Sequence, residues 1–179
     1  MLSAFVIILL FVLAAVIVNI FTYSYGWGKM GSQKDIWNVY QNKLIPQFSF
    51  TIAFFWLAIF GFLGYSFYLL VRENDGNLTL GSIFVLLFAI FALSYPVLTW
   101  KANEKNASVI NYISVIFIYV VSLVVITEYT NAFYYLLPAI IWCSYIGLTD
   151  SIMYRNMSVR DSMKKLATES KTVIESLKN

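Results

Sequence analysis

Long apolar stretches separated by short polar ones set the pattern of this chain. Residues 1–28, 44–71, 76–100, 106–127 and 129–149 carry no charge at all. Each run reaches or exceeds the ~20 residues a helix needs to cross a hydrocarbon core of ~30 Å. In lipid only helices or closed barrels satisfy every backbone group, and the period-2 alternation of barrel strands is missing here. The pattern therefore predicts five membrane helices, at about 2–26, 47–71, 78–100, 107–127 and 131–155. The first run reads as a retained spanning helix rather than a cleaved signal. No Lys or Arg precedes Lys29, and its apolar stretch exceeds a usual signal core. The expected fold class is an all-α integral membrane protein, a five-helix bundle forming one domain over residues 1–156.

Composition agrees with that reading: 60% of the residues are hydrophobic and only 12% are charged, too few to cover a soluble domain. The placement of charge adds an orientation. With five crossings, segments 29–43, 101–105 and 155–179 share one side of the membrane, and they hold every Lys and Arg except Arg72. The positive-inside rule then puts the N-terminus outside and the C-terminus in the cytoplasm. The net charge of +3 reports this topology and an attraction to anionic lipid, not a nucleic-acid partner. The expected location is a multi-pass membrane protein, with the kind of membrane left open.

Two segments fall outside the helices. The loop at roughly 26–47 is polar yet keeps Trp27, Ile36, Trp37, Val39 and Tyr40, so it either anchors at headgroup level or folds over the bundle end as a lid. Residues 157–179 form an expected cytoplasmic amphipathic helical tail. Asp161 precedes Lys165 by four positions, and Met163, Leu166, Val173 and Leu177 make a thin apolar stripe.

The chemistry available is narrow. There are no histidines and one cysteine, so neither an internal disulfide nor a Cys/His metal site can form. No cofactor is required by these residues. Strongly polar groups, which mark transport pathways in membranes, are few: Asn19 stands alone in the first helix, and Glu128 and Asp150 flank the last. That argues against a coupled ion transporter. Aromatic residues are in excess, with 15 Phe, 13 Tyr and 5 Trp. Trp56, Phe60, Leu63 and Phe67 share one face of the second helix, and Pro138, Trp142, Tyr145 and Thr149 one face of the last. The other side of the last helix carries Ala139, Cys143 and Gly147, a small-residue strip suited to close helix packing. Facing aromatic stripes can line a pocket for a flat apolar ligand, or simply pack.

The last stretch, "LLPAIIWCSYIGLTDSIMYRN", resembles the tryptophan-rich sensory or translocator proteins (the TspO/MBR family). That family's last helix runs L-L-x-P-Y-L-x-W, an aromatic segment, L-N and W-R-x-N. Leu136, Leu137, Pro138 and Trp142 stand in register; Tyr145 replaces a phenylalanine, Asp150 the asparagine and Tyr154 the tryptophan before Arg155. In the second helix the pattern W-x-x-L-Y-x-x-M-G is met by Trp56, Ile59, Phe60, Leu63 and Gly64. Upstream, Trp37 and Lys43 fit W-Y-x-x-L-x-K-P, whereas Asn38, Gln41 and Leu44 depart from it. Pro96 survives in the third helix, but Ser94 stands where a tryptophan is usual.

The resemblance covers about residues 1–156 and implies a pocket inside the bundle, open toward the cytoplasmic side and covered by the first loop with Trp37 and Lys43. It implies a membrane ligand-binding protein, sensor or carrier, for hydrophobic planar molecules: tetrapyrroles such as protoporphyrin, or sterols. Relatives often act as homodimers. Ile52, Ala53, Trp56, Ile146 and Thr149, with Trp142, match pocket positions, and Phe60 and Tyr145 join them from the aromatic stripes. Some relatives degrade protoporphyrin in light, and an enzyme of that kind would use Trp56 and Trp142. A scaffold without a small-molecule ligand is the alternative from a different class.

Overall fold

The computed structural model describes residues 3–24, 49–100 and 104–148; within these, residues 22–24, 49–53, 96, 99–100 and 104–108 are described by their helical backbone only. Every described element is helical. Helix α1 spans Ala4–Ser24, α2 Ser49–Glu73, α3 Leu80–Trp100 and α4 Glu104–Glu128. A short α5, Thr130–Tyr134, precedes α6, Leu137–Leu148. Among the described residues, three helices are long and apolar enough to cross a membrane: the candidate spans are Ala4–Phe21, Phe54–Glu73 and Val109–Glu128. The apolar stretches Leu80–Tyr95 and Leu137–Leu148 are shorter. These features are compatible with a helical membrane protein. The expected lid residues Trp37 and Lys43, the wall residue Thr149, Asp150 and the 157–179 tail lie outside the described residues.

Helix ends follow local chemistry. Ser3 opens α1, its Oγ accepting from the Val6 N–H at 3.4 Å. Thr79 and Ser82 cap α3 reciprocally: the Ser82 N–H donates to Thr79 Oγ1 at 3.0 Å, and the Thr79 N–H donates to Ser82 Oγ at 2.8 Å. A third donor of that turn, the Gly81 N–H, is taken by the Glu128 carboxylate from the far end of α4 at 2.9 Å. A carboxylate at its own helix C-terminus is poorly placed, but beside the N-terminus of α3 it meets the favourable end of a macrodipole. Helix α2 closes in a Schellman turn, with the Gly76 N–H donating to the Val71 carbonyl at 2.9 Å. Asp75 (φ 53°) and Gly76 (φ 86°) both take left-handed backbone there.

The sequence pattern predicts one continuous last helix from about 131 to 155, and the structure corrects it. The chain turns at Tyr135 and Leu136, whose N–H groups bond three residues back to Ala132 and Phe133 at 3.2 and 2.9 Å. Pro138 supplies the reason: it has no N–H to give, and its ring crowds the carbonyl four residues earlier, so α5 and α6 cannot merge. The buried Ser66 hydroxyl donates to the Ala132 carbonyl at 3.0 Å and ties the short helix to α2.

Around the bundle the helices follow the order α1, α2, α6, α4, α3. Helix α1 packs on α2 and, less extensively, on α3, while α3 packs on α4. Helix α6 reaches α2 through Trp142 against Trp56, and α4 through Gly147 against Val115 and Ser144 hydrogen-bonded to Tyr119 at 3.1 Å. Helices α2 and α3 also touch across the ring. Two spaces lie on either side of that contact among the described residues, one walled by α1, the other by α4 and α6. The core residues Leu63, Val85, Phe88, Ile118, Val121 and Leu136 lie around this divide.

Candidate functional site

The larger space lies between α1, α2 and α3. It is a half-open cavity of about 650 Å³, lined from α1 by Ile7, Leu10, Phe11 and Ala14, from α2 by Phe60, Phe67, Tyr68 and Val71, and from α3 by Leu86, Ala89, Ile90 and Leu93, with Leu10, Leu86 and Ile90 exposed along its open side. Asp75, Gly76 and Leu78 of the α2–α3 turn form its rim. That volume is within the ~300–1,000 Å³ usual for small-molecule sites, and the wall is almost wholly apolar. Aromatic rings give it flat faces; Phe11 and Phe67 meet at 5.8 Å between centroids.

The cavity exists because α1 stands close to α2 at one place and away from α3 elsewhere. Gly64 sets the close approach: a Cβ there would lie 3.1 Å from the Ile8 Cα and from Phe11 Cβ. Gly61, one turn earlier on the same helix, faces Val12 and Ile8. The two glycines let the helix backbones come together without side chains between them.

The smaller space, about 20 Å³, lies across the α2–α3 divide and is lined by Trp56, Phe88, Phe91, Ala92, Tyr95, Asn111, Ser114, Cys143 and Ile146. It is room for about one water, and its polar groups sit together. The Tyr95 hydroxyl donates to Asn111 Oδ1 at 2.6 Å, and the Ser114 hydroxyl donates to the Ile110 carbonyl at 2.9 Å. Asn111 is buried. An interhelical hydrogen bond of this kind in an apolar bundle contributes ~0.6 kcal/mol on average, with a ceiling near ~2 kcal/mol.

Of the aromatic site residues expected from the sequence, Trp56 borders this second space, and Trp142 and Tyr145 pack beside it. Trp56 and Trp142 contact each other edge to face, at 6.4 Å and 76°. Phe55 stacks on Trp142 at 5.8 Å, and Tyr145 tilts against it at 6.3 Å. The two indoles therefore fill the gap between α2 and α6 with each other. Phe60, 6.0 Å from Trp56, reaches the other way and lines the large cavity. The stripe of α2 is thus split between the two spaces. Ile146 borders the small one. Ile52 and Ala53 lie in the first turns of α2, where the backbone alone is described. Ala139, Cys143 and Gly147 are all buried, and a Cβ on Gly147 would come within 2.7 Å of a Val115 methyl.

Trp142 has one further property. Its Nε1–H is buried and has no hydrogen-bond acceptor among the described residues. An unmet buried donor costs ~1–3 kcal/mol, which an acceptor brought by a ligand would recover. Asn19, the polar residue expected to stand alone, is satisfied within its own helix by the Ala15 carbonyl at 2.9 Å. Sequence reasoning missed Asn111 and Tyr95. Asn111 falls in a charge-free run and carries no charge itself, so a scan for ionisable groups passes over it; a scan for amides in apolar runs would have found it.

No cluster of three or more His, Cys, Asp or Glu that could hold a metal is present among the described residues. Fold and site geometry together define a class: a chain helical throughout its described elements, with apolar helices long enough for a membrane, that carries a ligand-sized, half-open apolar groove between three of them. In comparisons with protein families, with curated proteins and with solved structures, nothing matches this chain.

Proposed function

We propose that this is a multi-pass membrane protein that binds a hydrophobic small molecule between its helices, as a sensor or carrier. The observation that carries the reading is the apolar cavity of about 650 Å³ between α1, α2 and α3. An apolar space of that size is filled by something, because unfilled volume forfeits dispersion contacts, and saturable binding separates a dedicated ligand from the acyl chains of the bilayer. The ring faces of Phe11, Phe60 and Phe67 favour flat ligands held by stacking, so tetrapyrroles and sterols are the first classes to test. Five crossings with the N-terminus outside remain part of the proposal, as does a homodimer.

Protoporphyrin titrated into purified protein tests it through tryptophan emission. Trp56 lies one ring away from the cavity, across Phe60, and should be quenched saturably. Filling the cavity with Ala89→Phe or Ala14→Phe should abolish saturation while Trp56→Phe merely dims the signal. Saturable quenching that survives both fillings but vanishes in Trp142→Phe would move the site to the indole pair. Absence of saturation with protoporphyrin and with a sterol alike would remove the proposal.

A further inference from the structure

The rim of the large cavity is less neutral than its walls. Among the lining residues Asp75 alone carries a charge. Its neighbours are already engaged: Arg72 Nη2 pairs with Glu73 Oε1 at 2.6 Å, and the guanidinium lies over the Tyr68 ring at 5.7 Å from the centroid. Glu128 is committed to the Gly81 N–H. The Asp75 carboxylate has no partner among the described residues. At this end of the bundle the described charges are Arg72 against Glu73, Asp75 and Glu128, one positive and three negative. The backbone allows it. Asp75 holds a left-handed conformation, φ 53°, in a turn position where glycine is the ordinary choice. Asp and Asn tolerate this conformation best after glycine, so the turn accommodates a carboxylate at the rim at little cost.

The cavity also has a length. Along α2 its wall runs from Phe60 to Val71, eleven residues or ~16 Å of helix. Half of a ~30 Å hydrocarbon core is ~15 Å, the depth of one leaflet. The rim at Asp75–Leu78 would then stand at headgroup level, with the apolar floor at the bilayer midplane.

We infer that the cavity takes an amphiphile with an apolar body about one leaflet long and a cationic ammonium head, and that Asp75 is the counter-charge for that head. This rests on the cavity being the binding seat, and it narrows the ligand class by charge. Fatty carboxylates meet the wrong sign at the rim, and a carboxylate-bearing tetrapyrrole fits the same space only with its carboxylates turned away from Asp75. The head can belong to a phosphatidylethanolamine lipid or to a free lipophilic amine.

Thermal unfolding of the full-length protein in dodecylmaltoside, titrated with hexadecylamine, hexadecanol and hexadecanoate, tests the inference, since a ligand that binds the folded state raises Tm in proportion to its occupancy. For the wild type the order of affinity should be amine, alcohol, carboxylate. Asp75→Asn, which tolerates the same left-handed backbone, should weaken the amine about fivefold, the upper range for an exposed ion pair, and leave the alcohol unchanged. Ala89→Phe or Ala14→Phe should remove the response to all three. An amine-to-alcohol ratio unaffected by Asp75→Asn overturns the role of Asp75 while sparing the cavity. A response to all three probes that survives both cavity fillings overturns the cavity itself. Mass spectrometry of protein released from phosphatidylethanolamine and phosphatidylglycerol nanodiscs distinguishes the sources. Retained phosphatidylethanolamine, lost in Asp75→Asn, identifies a lipid; an amine response without retained lipid identifies a free amine.

Discussion

On one side of the α2–α3 contact the helices leave about 650 Å³ unfilled; on the other they leave about 20 Å³. Both spaces are walled by aromatic and aliphatic residues, and both borrow rings from the same stripe of α2. The difference lies in what the third wall offers. Helix α6 presents Trp142 to Trp56 and lays Cys143 and Gly147 into the seam, so large and small groups interlock. Helix α1 meets α2 closely over Gly61 and Gly64 but touches α3 only sparsely, so Ile7, Leu10, Phe11 and Ala14 leave a space against α3 that they do not fill. Close-packed interiors are the norm in proteins. A bundle that packs one half to that standard and leaves the other half open offers, in its open half, the space that the proposed ligand would take.

The largest expected effect comes from forcing α1 off its seat. Gly64→Leu would drive a side chain into the Ile8 backbone and Phe11, which cannot yield as a flexible side-chain tip could. Overpacking of this kind costs about 3 kcal/mol. A marked fall in Tm in dodecylmaltoside is expected, together with loss of any ligand-induced rise, because the cavity loses a wall. A Gly64→Leu protein that keeps its Tm and its ligand response would show that α1 does not define the site.

Next is the tight half. Gly147→Ala places a Cβ 2.7 Å from Val115 Cγ2 and should lower stability by roughly 1–2 kcal/mol, with ligand response retained. Val115→Ala in the same chain should return most of the loss, a coupling that a double-mutant cycle measures. Tyr95→Phe follows, with an expected loss of about 1 kcal/mol from the missing bond to Asn111. Equal effects of these substitutions on ligand binding and on stability would mean that the two halves act as one site.

How much of this was open to inspection in the chain depends on whether the deciding physics is local. Helix α2 was legible because lipid tolerates no unpaired backbone, so its charge-free run marks it within two residues: it is expected at 47–71 and found at Ser49–Glu73. The break before α6 was legible in principle from Pro138. Helical spacing placed Trp56 and Phe60 on one face but could not tell that the α2–α3 contact falls between them. The cavity itself was hidden, since it depends on how close α1 approaches, and Gly64 discloses that only once Ile8 and Phe11 are seen against it. Glu128 was visible only as a charge beside the last helix. Its role at Gly81 joins residues far apart in the chain, and no spacing rule connects them.

The smallest effect sharpens the comparison most. If Asp75 serves only to end α2, glycine should do better at φ 53°, because it carries no Cβ to strain. Asp75→Gly is therefore expected to raise stability slightly, by about 0.5 kcal/mol, read as a small increase in Tm without ligand. Gly76→Ala, at φ 86° with open space around its Cβ, should move the other way by about 1 kcal/mol from backbone strain alone. The pair calibrates the turn. A gain in stability at Asp75→Gly, coupled to a loss of preference for ammonium over neutral amphiphiles, would mean the carboxylate is held at the cavity mouth against the preference of the backbone. A loss of stability instead would return Asp75 to the turn, leaving the open half of the bundle with an apolar ligand of no defined charge.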